Sequence, residues 1–535
     1  MSVEIYQTLH DFLKKRESYS HHPESVKHVQ THISHVFIAP PYVYKFKKAV
    51  DFGFLDYSTL KKRKFFCEQE VELNRRLCTE IYIGIVAITR GEHGYKIEEE
   101  SSAKGEIVEY AVKMKKLQDR YFLHSYIKDD TLTKGHLDRV SDKLANFYLR
   151  QSPGDDVTKY GEMDKVRFNT DENFQQTDVF IGETIGKQEY GAIKYFACQY
   201  YERKASLFHK RVEEKRIVDG HGDLHLEHIH VSPESICIYD CIEFSERLRC
   251  GDQAVDLAFL AMDLDFNGRW SESRYFVDQM TRKLNDPDLN TIINFYKCYR
   301  AYVKGKVKSI QSTEDGVPAE DKERLQNRAI DYFDLSLRYA LLGFGTVVLI
   351  CMGRIGTGKS TLASHLGSKL KIEVYSSDQI RKKIAGVPLF ERATAEKRNR
   401  LYSAEMSRKT YWKLSEHAAA SFDDGKSVIL DATFSQNAVR HQLIEQLQSL
   451  GVDYLFIEAQ ASDNVVKSRL KDRKNDKETI SDARLEDFKM LTEKYDPPTE
   501  IHSPHKIEID TGSEFEGTLE NLYRKLIDRQ LDLVV

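Results

Sequence analysis

The chain has no long hydrophobic run, and apolar stretches such as Val347–Met352 are far shorter than the roughly 20 residues of a membrane helix. It also has no excess of one charge, since 80 Lys and Arg residues stand against 84 Asp and Glu residues. That balance gives no overall nucleic-acid signature. Residues 1–19 lack the apolar core of a secretory signal. We therefore expect a cytoplasmic protein with no membrane partner.

Cysteine is scarce, with eight residues in 535, and no CxxC pair is present. Scattered cysteines in a large chain predict reduced thiols. Cys237, Cys241 and Cys250 lie near four histidines in the sequence, which leaves a zinc site as an alternative. The missing CxxC pair disfavours it.

The length of 535 residues is too great for one hydrophobic core, so two or three domains are expected. A hydrophobic fraction of 41% and a charged fraction of 31% are typical of globular proteins. The helical pattern before Gly343–Gly345 ends at those glycines, which predicts a boundary there. The predicted domains are residues 1–115, 116–340 and 345–535.

The segment Gly353–Ser360, GRIGTGKS, matches the phosphate-binding pattern G-x-x-x-x-G-K-[ST] at every defined position. Glycines leave the backbone N–H groups free to wrap a pyrophosphate at the start of a helix, the lysine brings a charge to the β/γ-phosphates, and the serine hydroxyl can hold Mg²⁺. A β-branched run before it and a helical pattern at 361–370 fit this context. The residues predicted to bind ATP here are Gly353, Gly356, Thr357, Gly358, Lys359, Ser360 and Thr361.

After this loop, strand patterns at 372–376, 427–431, 453–458 and 506–510 alternate with helices, which predicts a doubly wound parallel sheet. Functional residues of such sheets lie at the carboxyl ends of the strands. Asp378 is our candidate general base there, with Arg381 holding the acceptor, and Asp431 is a candidate Mg²⁺ ligand. The alternatives are a helix-capping role for Asp378 and a structural role for Asp431.

Arg469 and Arg473 are four residues apart on a predicted helix, so both are expected on one face. Two such arginines can neutralise charge on a transferred phosphoryl group, and an exposed, salt-bridged helix is the alternative. Together with the phosphate loop, SSDQIR, LDATF and Ser481–Arg484, they make residues 346–530 resemble the P-loop kinases of the polynucleotide kinase and zeta-toxin groups. That resemblance implies phosphorylation of a hydroxyl on a nucleotide, sugar nucleotide or nucleic-acid end.

Near the N-terminus, alternating apolar residues at 32–47 predict a hairpin, and a helical pattern follows at 58–78. Lys45 and Lys47 share one strand face, and either could pair with an acid of the helix to hold ATP phosphates. We prefer Lys45 with Glu70. Surface charges that only solvate this face are the alternative.

The stretch Val218–His230 contains His-Gly-Asp-Leu-His and is followed by a strand-like segment, Ile236–Phe244, and by Asp252 and Asp256. An acid after a tight His-Gly turn can accept the proton of a substrate hydroxyl, while an acid on the next strand holds Mg²⁺. Asp223 is the candidate catalytic acid/base. Asp240 and Glu243 are both candidate metal ligands, and we prefer Asp240.

This layout makes residues 30–300 resemble the aminoglycoside phosphotransferase family, which has a bilobal protein-kinase-like fold. The resemblance implies that Asp256 supports the catalytic loop and that His221 shapes it. It also places His228 where the family usually has an Asn metal ligand. Imidazole can bind metals, but Mg²⁺ favours oxygen.

The sequence thus predicts a multidomain chain of the α/β and α+β classes, with a kinase-like bilobal part followed by a P-loop domain. We interpret it as a bifunctional ATP- and Mg²⁺-dependent phosphotransferase acting on hydroxyl acceptors. The alternative is a single P-loop kinase or ATPase regulated by a non-catalytic kinase-like domain.

Overall fold

The computed structural model describes residues 3–53, 55–92, 94–314, 316–391, 393–423, 425–473, 480–481 and 483–533. Contacts group the chain into two compact units, Met1–Phe168 with Ser206–Tyr296, and Asn169–Ala205 with Lys297–Val535. These units cut the chain at other places than the predicted domain boundaries, which stay predictions. Of the described helices, none combines the length and the apolarity needed to cross a membrane.

The first part of the chain builds a six-stranded antiparallel sheet with two helices, and the predicted hairpin is confirmed. The elements are α1 (Val3–Leu13), β1 (Lys27–Gln30), β2 (Ser34–Ala39), β3 (Tyr42–Lys47), α2 (Leu60–Arg75), β4 (Tyr82–Gly91), β5 (Gly94–Glu98) and β6 (Glu106–Lys115). The strand order is β1-β2-β3-β6-β4-β5. Helix α2 packs on β4 and β6, with Cys67 and Val71 buried against Val112. Lys45 and Lys47 therefore lie on a strand next to β6, on the sheet that carries α2.

The middle of the chain is mostly helical. Its elements are α3 (Leu123–Lys128), α4 (Lys134–Leu149), α5 (Asp155–Thr158), α6 (Met163–Thr177), α7 (Lys187–Arg203), α8 (Ala205–Glu213), β7 (Ile217–Asp219), β8 (Ile229–Val231), β9 (Ile236–Ile238), α9 (Glu246–Arg249), β10 (Cys250–Asp252), α10 (Gln253–Phe266), α11 (Trp270–Lys283), α12 (Leu289–Ser312) and α13 (Ala319–Leu342). Strands β7 and β10, and β8 and β9, form two antiparallel pairs. Helix α10 is buried along nearly its whole length, including its three aspartates, Asp256, Asp263 and Asp265.

The predicted strand at Ile236–Phe244 is shorter than expected and ends at Ile238. Asp240 has a φ of 64°, a left-handed conformation that an extended strand does not contain. Asp240 is thereby placed in a loop after the strand.

The last part is a five-stranded parallel sheet flanked by helices, as predicted. The elements are β11 (Val347–Met352), α14 (Lys359–Leu370), β12 (Glu373–Ser376), α15 (Ser377–Ala385), α16 (Ala395–Leu401), α17 (Ala404–Asp423), β13 (Val428–Asp431), α18 (Asn437–Ser449), β14 (Asp453–Gln460), α19 (Asp463–Asp472), α20 (Phe488–Glu493), β15 (Lys506–Asp510) and α21 (Phe515–Leu533). The strand order is β12-β13-β11-β14-β15. Every residue of the central strand β11 is buried, because neighbours pair with both of its edges.

The expectation of reduced cysteines is wrong for one pair, since Cys78 and Cys237 form a disulfide. They are 159 residues apart in the sequence, so spacing does not reveal the pair. The fold brings the end of the α2 segment next to β9, where the two Cα atoms lie 4.6 Å apart. The other six cysteines are free thiols.

Candidate functional site

The phosphate loop lies between β11 and α14, as the motif predicts. Gly358 immediately precedes α14 with a φ of 90°, which favours glycine strongly over other residues. A Cβ on Gly353 would lie 2.4 Å from the Ala459 carbonyl oxygen, so only glycine fits there. The helix start that follows presents its N–H groups toward any bound anion.

The loop residues divide into those that face an adjacent cavity and those that hold the loop together. Gly356, Lys359 and Ser360 line a cavity of about 1540 Å³. Thr357 is buried, and its hydroxyl donates to the Arg354 carbonyl at 2.9 Å. Its side chain therefore stabilises the turn, and only its backbone N–H remains for a phosphate.

Asp431 ends β13 inside the same cavity, beside Ser360. Burial raises the pKa of the Asp431 carboxyl, while Lys359 and hydrogen bonds from the hydroxyls of Ser360 and Ser376 lower it. Within the described part of the chain, its Oδ1 atom has no hydrogen-bond partner. A buried, unsatisfied carboxylate oxygen beside a serine hydroxyl fits Mg²⁺, which prefers oxygen ligands.

Asp378 and Arg381 both line this cavity from α15, but they contact each other. The Arg381 guanidinium donates to Asp378 Oδ1 at 2.9 Å and lies over the Tyr402 ring at 4.6 Å. Arg381 is buried, and its Nε has no hydrogen-bond partner among the described residues. Arg381 therefore holds the candidate base in place.

The two arginines predicted to face the nucleotide together are separated by the fold. Arg473 lines the cavity. Arg469 does not, because it donates to the Thr511 hydroxyl at 3.1 Å and to the Thr511 carbonyl. The Thr511 hydroxyl in turn donates to the Thr357 carbonyl, so Arg469 supports the phosphate loop from behind. The segment Ser481–Arg484 also contributes to the resemblance to P-loop kinases, and its Asp482 lies outside the described residues.

A group of basic and aromatic cavity residues was not identified from the sequence. They come mainly from α16 and α17, the segment between β12 and β13, and comprise Arg398, Tyr402, Arg408, Lys409, Tyr411 and Trp412. The Trp412 side chain is 59% exposed, which is unusual for such a large ring. One feature of the sequence could have indicated this group. The segment between the strand patterns at 372–376 and 427–431 is basic and helical, and it contains one of the two tryptophans of the chain.

In the N-terminal unit, Lys45 and Lys47 both contact Glu70, so both of the alternatives lie in one cluster. The Nζ–O distances are 2.9 Å for Lys45 and 2.5 Å for Lys47. Lys45 also contacts Asp240 at 2.5 Å, while Lys47 contacts Glu243. Burial alone would lower the pKa of both lysines. The neighbouring carboxylates have the larger effect, so the pKa of each lysine lies above its usual value. Both side chains are therefore ammonium ions at neutral pH.

Asp240 and Glu243 have different surroundings, and these favour Asp240 as the metal candidate. The Glu243 side chain is 4% exposed and accepts hydrogen bonds from Lys47 and Tyr57. The Asp240 side chain is 37% exposed, and its Oδ2 lies 3.5 Å from His228 Nε2. Burial raises the pKa of Asp240, but Lys45 and His228 lower it more. Asp240 is thus an accessible carboxylate.

The loop carrying Asp223 is held by Asp256 of α10, as the resemblance implies. The carboxylate of Asp256 accepts hydrogen bonds from the backbone N–H groups of His221 at 2.6 Å and Gly222 at 2.8 Å. Gly222 has a φ of 81°, which glycine allows without strain. His221 accepts from the Asp223 N–H through Nδ1, and burial lowers its pKa to about 3. The loop is therefore fixed from both sides.

Asp223 faces two imidazoles. Its Oδ2 lies 3.4 Å from His225 Nε2 and 3.5 Å from His228 Nδ1, and the three side chains offer ligand atoms within 4.8 Å of one another. Burial and His225 lower the pKa of His228, while Asp223 and Asp240 raise it less. A neutral imidazole between two carboxylates fits one divalent ion with mixed oxygen and nitrogen ligands. This set suits Mg²⁺ less well than an amide oxygen would.

The zinc alternative at the cysteines gains no support. Two groups of three metal-type side chains occur in the described residues, and neither contains a cysteine. Cys237 is in the disulfide, and burial raises the pKa of the Cys241 and Cys250 thiols to about 12.

Comparison with known proteins gives a family match for the C-terminal part. Residues 348–498 match the family model described as AAA domain. Three uncharacterized proteins, one from Mycobacterium bovis and two from strains of Mycobacterium tuberculosis, are each 28% identical over 414 residues. The alignments cover 77% of this chain and 79% of each relative.

Two kinases are among the similar solved structures. A gluconokinase from Sinorhizobium meliloti is 16% identical, covering 36% of this chain and 93% of its own, with a TM-score of 0.25. A choline/ethanolamine kinase family protein from Mesorhizobium loti is 11% identical, covering 62% and 95%, with a TM-score of 0.37. These scores are too low to support an argument about this chain. Residues 348–498 are thus similar to the AAA domain family, and the loop after β11 within them carries the P-loop motif.

Proposed function

We propose that this chain is a bifunctional phosphotransferase in which each of two sites transfers the γ-phosphate of ATP to a hydroxyl. The observation that carries the proposal is that each unit has its own lysine beside carboxylates that suit a metal ion, together with a candidate base. No covalent intermediate is required, because positioning and charge neutralisation suffice for such a transfer.

At the C-terminal site, the backbone of Gly353–Ser360 and the Lys359 ammonium bind the β/γ-phosphates. Ser360 and Asp431 would hold Mg²⁺, which neutralises phosphate charge when bound. Asp378 accepts the proton of the acceptor hydroxyl, and Arg381 keeps its carboxylate in place. Arg473 lies in the cavity where charge spreads over the transferred group.

The cavity favours an anionic acceptor at this site. Its lining has eight cationic side chains and four acidic ones among the described residues. The cationic ones are Arg354, Lys359, Arg381, Arg398, Arg408, Lys409, Arg473 and Lys494. The exposed Trp412 ring can stack on a base or a sugar face. A nucleotide or nucleic-acid end meets both requirements.

At the N-terminal site, Lys45, held in place by Glu70, would bind the ATP phosphates, and Asp223 would accept the proton of a second acceptor. Asp240 and His228 would hold the metal ion, which supplies charge neutralisation there. The short distances from Lys45 to Glu70 and Asp240 support this assignment. Amino sugars and other small alcohols are the acceptors to screen at this site.

A single active P-loop kinase regulated by the N-terminal unit is the second candidate function. The presence of His228 at the position of the usual Asn ligand favours it, because imidazole is a weaker ligand for Mg²⁺ than an amide oxygen. In that case the N-terminal unit binds a nucleotide or substrate without transferring phosphate.

An acceptor screen with γ-labelled ATP separates these functions. Wild type, Lys359→Ala and Asp223→Ala would be tested on RNA and DNA ends, nucleotides, sugars and aminoglycosides. The proposal predicts one class of acceptor lost in Lys359→Ala and a different class lost in Asp223→Ala. If Asp223→Ala leaves every phosphorylation unchanged, the single-kinase function replaces it. Lys383→Ala, an exposed lysine outside the cavity, is the control.

A further inference from the structure

Three histidines from three different elements meet at the edge of the N-terminal sheet. His10 lies on α1, His28 on β1 and His35 on β2. They offer ring nitrogens within 4.8 Å of one another. We call them the histidine triad. None of the three belongs to the two candidate active sites.

The contacts within the triad are not those of an ordinary hydrogen-bonded pair. His28 Nε2 lies 3.3 Å from His10 Nε2 and 3.1 Å from His35 Nδ1. A ring nitrogen carries either one proton or one lone pair, so it makes one good hydrogen bond in the ring plane. His28 Nε2 cannot satisfy both neighbours at once. A cation between the three nitrogens can accept a lone pair from each of them.

The distances match those between the ligands of a small tetrahedral ion. Zinc binds imidazole nitrogen at about 2.0–2.1 Å, which places neighbouring ligand atoms about 3.3 Å apart in a tetrahedron. The two measured separations lie close to this value. The His10 ring is inclined by 87° to His28 and by 70° to His35, so the nitrogens approach from different directions.

The surroundings hold the rings in place. Phe37 pairs with His28 across β1 and β2, and its ring stacks on His28 at 4.7 Å and contacts His10 at 5.4 Å. His35 lies two residues before Phe37, on the same face of the strand. Phe37 is fully buried in the core that also contains Leu9 and Leu13 of α1. A rigid apolar wall of this kind orients metal ligands.

The triad is also neutral at physiological pH, as metal ligation requires. Burial and the charge of Lys48 lower the pKa of His35 to about 4. Burial lowers the pKa of His10 and His28 as well, with Lys14 acting in the same direction and Asp11 opposing it at His10. The nearby lysines disfavour any cation, so binding depends on the three nitrogen ligands.

We propose that His10, His28 and His35 bind one divalent transition-metal ion of the zinc class, with solvent in the fourth position. Imidazole nitrogen selects Zn²⁺, Cu²⁺, Ni²⁺ and Co²⁺ over Mg²⁺, so this site differs chemically from the two proposed ATP–Mg²⁺ sites. A bound ion connects α1 to β1 and β2. It therefore stabilises the folded state by mass action.

The test uses the full-length protein stripped with a chelator and titrated with Co²⁺, followed by visible absorption and by metal analysis after dialysis. Wild type is expected to bind one tetrahedral Co²⁺ more than His28→Ala or His10→Ala. His32→Ala, an exposed histidine between β1 and β2, is the matched control and should bind like wild type. Zn²⁺ should compete for the site and raise the unfolding temperature of wild type, but of neither triad variant.

Equal Co²⁺ stoichiometry in wild type, His28→Ala and His10→Ala overturns the proposal. Loss of the tetrahedral signal in His225→Ala with retention in His28→Ala also overturns it, because the ion then lies at the Asp223 group. The two triad variants change different elements, so if one fails to fold the other decides. Circular dichroism in the presence of chelator checks the folding of each.

Discussion

At the scale of single residues, the two candidate sites neutralise their carboxylates in different ways. Asp378 is paired with Arg381 at 2.9 Å, whereas Asp431 keeps one buried oxygen without a partner in the described chain. Asp223 faces two imidazoles, and Asp240 is paired with Lys45. The C-terminal site therefore has oxygen ligands ready for a hard cation, while the N-terminal site has a mixed set.

Lys359→Met is expected to reduce phosphate transfer at the C-terminal site by about 100-fold or more, because it removes the charge at the β/γ-phosphates. The measurement is transfer from labelled ATP to an acceptor of that site. Lys383→Met removes an exposed lysine from α15 and should leave the rate unchanged. Equal rates in Lys359→Met and wild type would remove Lys359 from the mechanism.

The two arginines of the α19 segment should differ in steady-state kinetics. Arg473→Ala is expected to lower kcat with little change in the KM for ATP, because Arg473 lies in the cavity. Arg469→Ala is expected mainly to raise the KM for ATP, because it releases Thr511 and with it the Thr357 carbonyl. Identical effects on both constants would contradict this division.

At the scale of elements, regular strands were predictable from the sequence, and special geometry was not. The bounds of β11 and β15 agree with the prediction to the residue. β11 is a short apolar run, and β15 alternates apolar and charged residues. The strand before Asp240 was predicted too long. Asp240 has a left-handed backbone conformation, and the pattern of apolar residues does not indicate it. The separation of Arg469 from Arg473 depends on Thr511, which is distant in sequence. The phosphate loop was predictable because all of its motif residues are consecutive in the sequence.

The support of the Asp223 loop by α10 can be tested with Asp256→Asn. An amide offers one acceptor to two backbone donors that both point at the carboxylate, so one N–H group loses its partner. We expect a loss of about 1–3 kcal/mol in the free energy of unfolding of the N-terminal unit. Urea unfolding is the measurement. Asp278→Asn, at an exposed position of α11, is the control and should be neutral.

The contact of α13 with α14 gives a pH prediction. Burial raises the pKa of Asp334 from its usual 3.8 to about 6, although Lys369 and Lys371 lower it. Between about pH 4 and pH 6, Asp334 is ionised in the unfolded chain but still protonated in the folded state. Rising pH therefore lowers the free energy of unfolding by roughly 1–3 kcal/mol across this range. Below pH 4 the effect is absent. Asp334→Asn should remove this loss.

Urea unfolding of both proteins at pH 4, 5, 6 and 7 checks this prediction. The difference in the free energy of unfolding should grow in favour of Asp334→Asn as pH rises through this window. A difference that is constant with pH would show that Asp334 does not titrate there.

At the scale of the whole molecule, one chain contains both of the proposed sites, one in each unit. Sequence motifs predicted the phosphate loop and the candidate acids of both sites. They did not predict the basic and aromatic cavity residues of α16 and α17, or that Lys45 and Lys47 share Glu70. The histidine triad was not predicted either, because its members are 18 and 7 residues apart on three elements. Only the pairing of β1 with β2 and the packing of α1 bring them together.

The most direct measurement is the number of nucleotides bound per full-length chain at saturation, by equilibrium dialysis with a non-hydrolysable ATP analogue and Mg²⁺. If the chain has two separate ATP sites, wild type binds two equivalents, Lys359→Met one, Lys45→Met one and the double variant none. A single equivalent in wild type that is lost in Lys359→Met and retained in Lys45→Met would contradict the proposal of two sites.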